Sequence, residues 1–205
     1  MKDHPIVSGC KNGLRLLFRI LFRIKYLGRE NIPSSGPALI VPNHQSYLDP
    51  LFVGSALPRS NRYMAMKSLF RYRPIAAFLR FYGAFPVTTR SADKSAIRDS
   101  IRFLRRGELV IIFPEGGRSR DGNLQEFFQG FARIALRERI PIVPVTISGA
   151  HKVWPPGKLC PRPGKVRVIF HPPINPSQML PRDEIANSVA QAVRDSIAFG
   201  LQTSR

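Results

Sequence analysis

Apolar positions recur along the chain in two rhythms. Short runs at Ala38 to Val41, Ala84 to Thr88, Leu109 to Phe113, Ile142 to Ile147 and Lys165 to Phe170 have the length and β-branched content of strands. Between them the spacing is helical. Ile97, Ile101 and Leu104 lie in a segment begun by Ser91 and stopped by Gly107, and Phe127, Phe128, Phe131, Ile134 and Ala135 mark another helix. Ile185, Val189, Val193, Ile197 and Leu201 form a closing ladder, the stripe of a helix that faces a core. Strands alternating with helices predict a single α/β domain over residues 28–205, a mixed, mostly parallel sheet flanked by helices. Ile140-Pro141-Ile142-Val143-Pro144 carries two prolines in an apolar run, which suggests an edge or irregular strand. Pro155-Pro156-Gly157 and Pro161-Arg162-Pro163-Gly164 read as loops inside that domain rather than boundaries.

Ahead of the domain, residues 1–27 follow a different pattern. Within 12–26, Arg15, Arg19 and Arg23 recur every fourth residue amid Leu14, Leu17, Phe18, Leu21, Phe22 and Ile24. On a helix this sets a basic stripe beside a broad apolar face. Arginine interrupts the run too often for it to span a bilayer, which needs about 20 predominantly apolar residues, but it suits lying in the membrane interface. An ordinary helix packed on the core with solvated arginines has the same pattern, and different faces can serve both purposes.

Charge sharpens this. The chain carries 32 Lys+Arg against 13 Asp+Glu, a net +19, while its 43% hydrophobic content is that of a folded protein. Such an excess points to an anionic partner, nucleic acid or phospholipid. No aromatic RNA-reading strand, KH loop or recognition helix is visible, so no nucleic acid is expected, and an anionic membrane surface is. The N-terminus has no secretory signal pattern and no transmembrane run, which predicts a peripheral protein on the cytoplasmic face of the cell membrane. Cys10 and Cys160 lack a CxxC spacing or a neighbouring His, and read as reduced, incidental thiols. His4, His151 and His171 are scattered without metal-ligand spacing, so no metal is expected.

The candidate chemistry lies where predicted strands end. Asn43-His44-Gln45-Ser46-Tyr47-Leu48-Asp49 follows the first of them and sets an imidazole five residues before a carboxylate. A carboxylate behind one ring nitrogen fixes the tautomer and stabilises the imidazolium that forms when the other nitrogen takes a proton, which suits His44 as a general base oriented by Asp49. Ser46 reads as a cap of the next helix or a brace for His44. Asp49, with Pro50 after it, competes for that capping role. The strand ending at Phe113 runs into Pro114-Glu115-Gly116-Gly117-Arg118-Ser119-Arg120, a Gly turn with one acid and two guanidiniums; Arg binds phosphate bidentately, and a polar turn with solvated arginines is the plainer reading. No Gly-Lys-Ser/Thr follows, so it is not a P-loop. Arg90 and Lys67 close or approach other strand ends, where cations can hold an anionic substrate.

Four blocks in order, Asn43 through Asp49, Gly83 through Arg90, Phe113 through Ser119 and Ile140 through Pro144, resemble those of the glycerophospholipid acyltransferase family, most closely its bacterial 1-acyl-sn-glycerol-3-phosphate branch. The resemblance covers about Gly28 to Ile174. It implies transfer of an acyl group from acyl-CoA or acyl-ACP, meaning acyl carrier protein, to the sn-2 hydroxyl of lysophosphatidic acid, with no permanently bound cofactor. His44 and Asp49 would be catalytic; Lys67, Arg90, Glu115, Gly116 and Arg118 would bind the acceptor and its phosphate. Buried pairing of Glu115 with an arginine is the competing role for that acid. Another lyso-lipid acceptor, such as lyso-ornithine lipid or lysophosphatidylglycerol, is the alternative within the enzyme class; a non-catalytic basic membrane- or nucleic-acid-binding protein is the alternative outside it. Gly117 departs from the pattern, standing where the family has Thr.

Overall fold

In the computed structural model of the chain, residues 5–87, 94–178 and 185–204 are described. Seven strands form one sheet: β1 (Lys25–Leu27), β2 (Ala38–Pro42), β3 (Asn61–Met66), β4 (Ala84–Val87), β5 (Leu109–Ile111), β6 (Ile142–Ser148) and β7 (Arg167–Phe170), in the order β1-β7-β6-β2-β5-β3-β4. Strands β2 to β6 run parallel to one another, β7 is antiparallel to β6, and β1 follows β7. The helices are α1 (Pro5–Phe22), α2 (Asp49–Ala56), α3 (Arg73–Phe81), α4 (Lys94–Arg105), α5 (Gly130–Glu138), α6 (Ala150–Val153) and α7 (Ile185–Gln202). Among the described residues, no helix is long and apolar enough to cross a membrane.

Strand β2 shows why the sheet sits between two layers. Every one of its residues is buried, as in a parallel strand covered on both faces. Its alternation sends Ala38 and Ile40 into one core and Leu39 and Val41 into the other. Phe18 and Phe22 of α1 pack on Phe52 of α2 in the first core, with ring centroids 4.9 and 5.6 Å away. Leu104 of α4, Phe131 of α5, and Val193 and Ile197 of α7 fill the second.

Several sequence expectations are corrected here. The helix expected over 12–26 starts earlier, at Pro5, and stops at Phe22, because Lys25–Leu27 pairs with β7 as an edge strand. Its basic side is not wholly solvated either, since Lys11 is buried and donates from Nζ to the Arg59 carbonyl at 3.1 Å. Phe127 and Phe128 precede α5 instead of belonging to it. Thr88, at the end of the second predicted strand, lies outside the described residues.

The proline-bearing run is not an edge: β6 lies between β7 and β2. Pro144 fits there because its carbonyl accepts the His171 N–H at 2.9 Å, just past the end of β7. In an extended chain N and O of one residue point the same way, so the donor that proline lacks falls where that ladder is ending.

Candidate active site

The five parallel strands all end on one rim, and the loops leaving β2 and β5 build the site there. Asn43 starts it. Fully buried, its side-chain amide donates to the Ile147 carbonyl at 3.0 Å and accepts the Ile147 N–H at 2.7 Å, extending the β2–β6 ladder by one side chain while the main chain turns away. The next residue, His44, is held by its backbone from the β5 loop: its N–H donates to Glu115 Oε1 at 2.7 Å and its carbonyl accepts the Ser119 N–H at 2.8 Å. Its ring stacks on Phe113 with centroids 4.0 Å apart.

The imidazole and Asp49 meet as the five-residue spacing requires. His44 Nδ1 lies 2.9 Å from Asp49 Oδ2, the same oxygen that accepts the Gln45 and Ser46 N–H groups at 2.6 and 2.7 Å. A carboxylate can only accept, so Nδ1 carries the hydrogen and Nε2 presents its lone pair. Asp49 is completely buried, while the His44 side chain keeps 16% of its surface exposed. The ring is thus held by Phe113 on one face and by Asp49 at Nδ1, and part of its surface stays open.

Neither capping expectation holds. Leu48 precedes α2 with no side-chain cap, Ser46 Oγ donates to the Trp154 carbonyl at 3.0 Å and accepts the Leu48 N–H at 3.3 Å, and Asp49 turns back to the His44 loop. Arg118 is drawn in as well: its guanidinium lies over the Tyr47 ring, 3.8 Å from the centroid, which sets a cation beside the histidine loop.

A model of the family described as Acyltransferase matches residues 23–148, more than half of the chain. The chain belongs to this acyltransferase family. The Bacillus subtilis protein named 1-acyl-sn-glycerol-3-phosphate acyltransferase is 31% identical over 192 residues, covering 92% of this chain and 93% of that protein. The chloroplastic LPAT1 of Arabidopsis thaliana, named for the same reaction, is 31% identical over 86% of this chain but only 49% of its own length. The chain spans about half the length of such plant relatives. In fold it matches the crystal structure of the LPA acyltransferase PlsC from Thermotoga maritima, at 26% identity and a TM-score of 0.77, over 94% of this chain and 79% of the other.

For this acyltransferase family member, the structure brings His44, Asp49, Glu115 and Arg118 together. Lys67 stands on the same rim, exposed, where β3 passes into a 3-10 turn (Lys67–Arg71). Arg90 lies outside the described residues. Gly116 has φ 67°, and a Cβ there would meet the Phe128 ring at 2.8 Å, so a glycine suits the turn. Asn43 and Phe113, which shape the histidine's surroundings, drew no role from sequence; an Asn directly after a buried strand was the available signal.

Glu115 braces the site from beneath. Oε1 holds His44, and Oε2 accepts the Gln125 N–H at 3.3 Å. Burial pushes its carboxyl up to about 7, against the pull of those two backbone donors and with help from the Asp49 charge. The folded state therefore binds the extra proton between 4.5 and about 7. Stability from this group is complete below that window and is lost as pH rises through it, on the order of 3 kcal/mol. Thermal unfolding across that range should show Glu115→Gln flattening the loss; a wild-type slope in the variant would assign it elsewhere.

Gly117 is simpler. A Cβ there meets nothing within 4 Å. Gly117→Thr should therefore fold with stability unchanged to within about 0.5 kcal/mol by denaturant titration. A larger loss would mean that the turn itself requires glycine.

Proposed function

We propose that this chain transfers a fatty acyl group from the thioester of acyl-CoA or acyl-ACP to the sn-2 hydroxyl of 1-acyl-sn-glycerol-3-phosphate, giving phosphatidic acid. The observation that carries the reading is the ring of His44, oriented by buried Asp49 through Nδ1 and partly exposed. Nε2 takes the hydroxyl proton as the substrate oxygen attacks the thioester carbonyl carbon. The tetrahedral intermediate then collapses with cleavage of the C–S bond, and the imidazolium returns the proton to the departing thiolate. Asp49 stabilises the imidazolium in between. No acyl-enzyme is needed, in keeping with a site whose loops bring no cysteine to His44; both thiols are exposed elsewhere.

The acceptor's phosphate is assigned to Arg118 and Lys67, with Arg90 as a third cation and Gly116 leaving room at the turn. Helix α1 (Pro5–Phe22) serves as the basic membrane-contacting helix, and the chain from β1 onward, which joins the sheet at Lys25–Leu27, as the catalytic domain. The enzyme works peripherally, on the cytoplasmic face of an anionic membrane. The names borne by the Bacillus and Thermotoga proteins support this choice of acceptor. The test is a thiol-release assay crossing both donors with lysophosphatidic acid, lyso-ornithine lipid and lysophosphatidylglycerol. Fastest release with lysophosphatidic acid is expected; preference for another acceptor would overturn the substrate, and no release with any would overturn the reaction.

A further inference from the structure

Large hydrophobic side chains are exposed on this protein in a very uneven way. Of the sixteen among the described residues, twelve fall in two stretches, residues 6–27 and residues 66–81. The second holds Met66, Leu69, Tyr72, Ile75, Phe78 and Phe81, each between 41% and 64% exposed. Helix α3 is the extreme case: of its nine residues only Ala76 is buried. A helix showing an isoleucine and two phenylalanines to water has an unpartnered face.

Its charge names the partner. From Lys67 to Phe81 the sequence contains Lys67, Arg71, Arg73 and Arg80 and no acidic residue. Aromatic and aliphatic side chains interleaved with cations are the chemistry of an anionic bilayer surface, where rings enter the acyl boundary and cations stay with the phosphates. Position agrees. Phe70 and Leu79 pack against the same core as Phe18 and Phe22 of α1, so α1 and α3 clothe one face of the sheet.

We propose that the 3-10 turn Lys67–Arg71 and α3 form a second membrane-inserting element beside α1, seating Ile75, Phe78 and Phe81 in an anionic leaflet. It begins at Lys67 on the catalytic rim, so its insertion brings that rim against the headgroups and presents a lyso-lipid hydroxyl without full extraction from the bilayer. The proposal rests on the lyso-lipid reading of the acceptor, but its test does not need turnover.

The experiment is flotation of the full chain with phosphatidylcholine vesicles, with and without phosphatidylglycerol, comparing wild type, Phe78→Ser/Phe81→Ser and Phe199→Ser. Phe199 is 64% exposed on α7, across the sheet, and serves as the matched control. The double variant should keep its melting curve and lose about tenfold or more in affinity for anionic vesicles, while Phe199→Ser binds as wild type. As an independent readout, Phe78→Trp adds a fluorophore to a chain with one tryptophan, and brominated acyl chains should quench it. Undiminished binding by the double variant, absence of quenching, or loss of self-association in place of vesicle binding would each overturn the proposal. Failure of wild-type turnover with every acceptor, alongside intact vesicle binding, would instead count against the substrate assignment.

Discussion

His44→Ala should lower turnover with acyl donor and lysophosphatidic acid about 10²- to 10⁴-fold, the usual contribution of a positioned general base. The fold should survive. The ring is partly exposed, its backbone bonds to Glu115 and Ser119 do not involve the side chain, and Asp49 keeps the Gln45 and Ser46 N–H groups. What is lost is the Phe113 stack and one hydrogen bond, about 1 kcal/mol or a little more. Thiol release beside thermal unfolding checks both sides. Wild-type turnover in a folded His44→Ala protein would sink the mechanism.

At Asp49 the charge and the fold can be separated. Asp49→Asn can keep its oxygen on the three N–H donors that converge there, yet offers no negative charge to a protonated His44. Turnover is expected to fall by about 10²- to 10⁴-fold with little change in melting temperature. Asp49→Ala leaves buried donors at Gln45 and Ser46 without an acceptor and should cost about 2–4 kcal/mol of stability as well. If Asn destabilised the protein as much as Ala while turnover per folded molecule stayed high, Asp49 would be a structural brace of the loop and not a partner in catalysis.

Much of the fold was legible because the burial it requires is local in sequence. The strands at Ala38 and Leu109 and the ladder from Ile185 to Ile197 announce themselves by period, and each became the expected element. β3 did not, because Asn61 and Arg62 open it and its partners β4 and β5 come later in the chain. The proline-bearing β6 misled for a related reason. Proline content predicts an edge only if every position must donate to a neighbour, and Pro144 sits where the β7 ladder is already finishing.

The site divides along the same line. By itself, the sequence determined the pairing on which the proposed mechanism rests: His44 and Asp49 are five residues apart on one turn, and a short loop leaves few ways for them not to meet. It also determined the ordered blocks that tie the chain to the acyltransferase family. Only the tertiary structure decided that Glu115, 71 residues from His44, holds its N–H, that Asn43 splices the turn onto β6, and that Arg118 lies over Tyr47. Those contacts join separate strands of a parallel sheet, whose crossovers bring distant segments to one rim, so their pairing is set by packing and has no local signature in the chain.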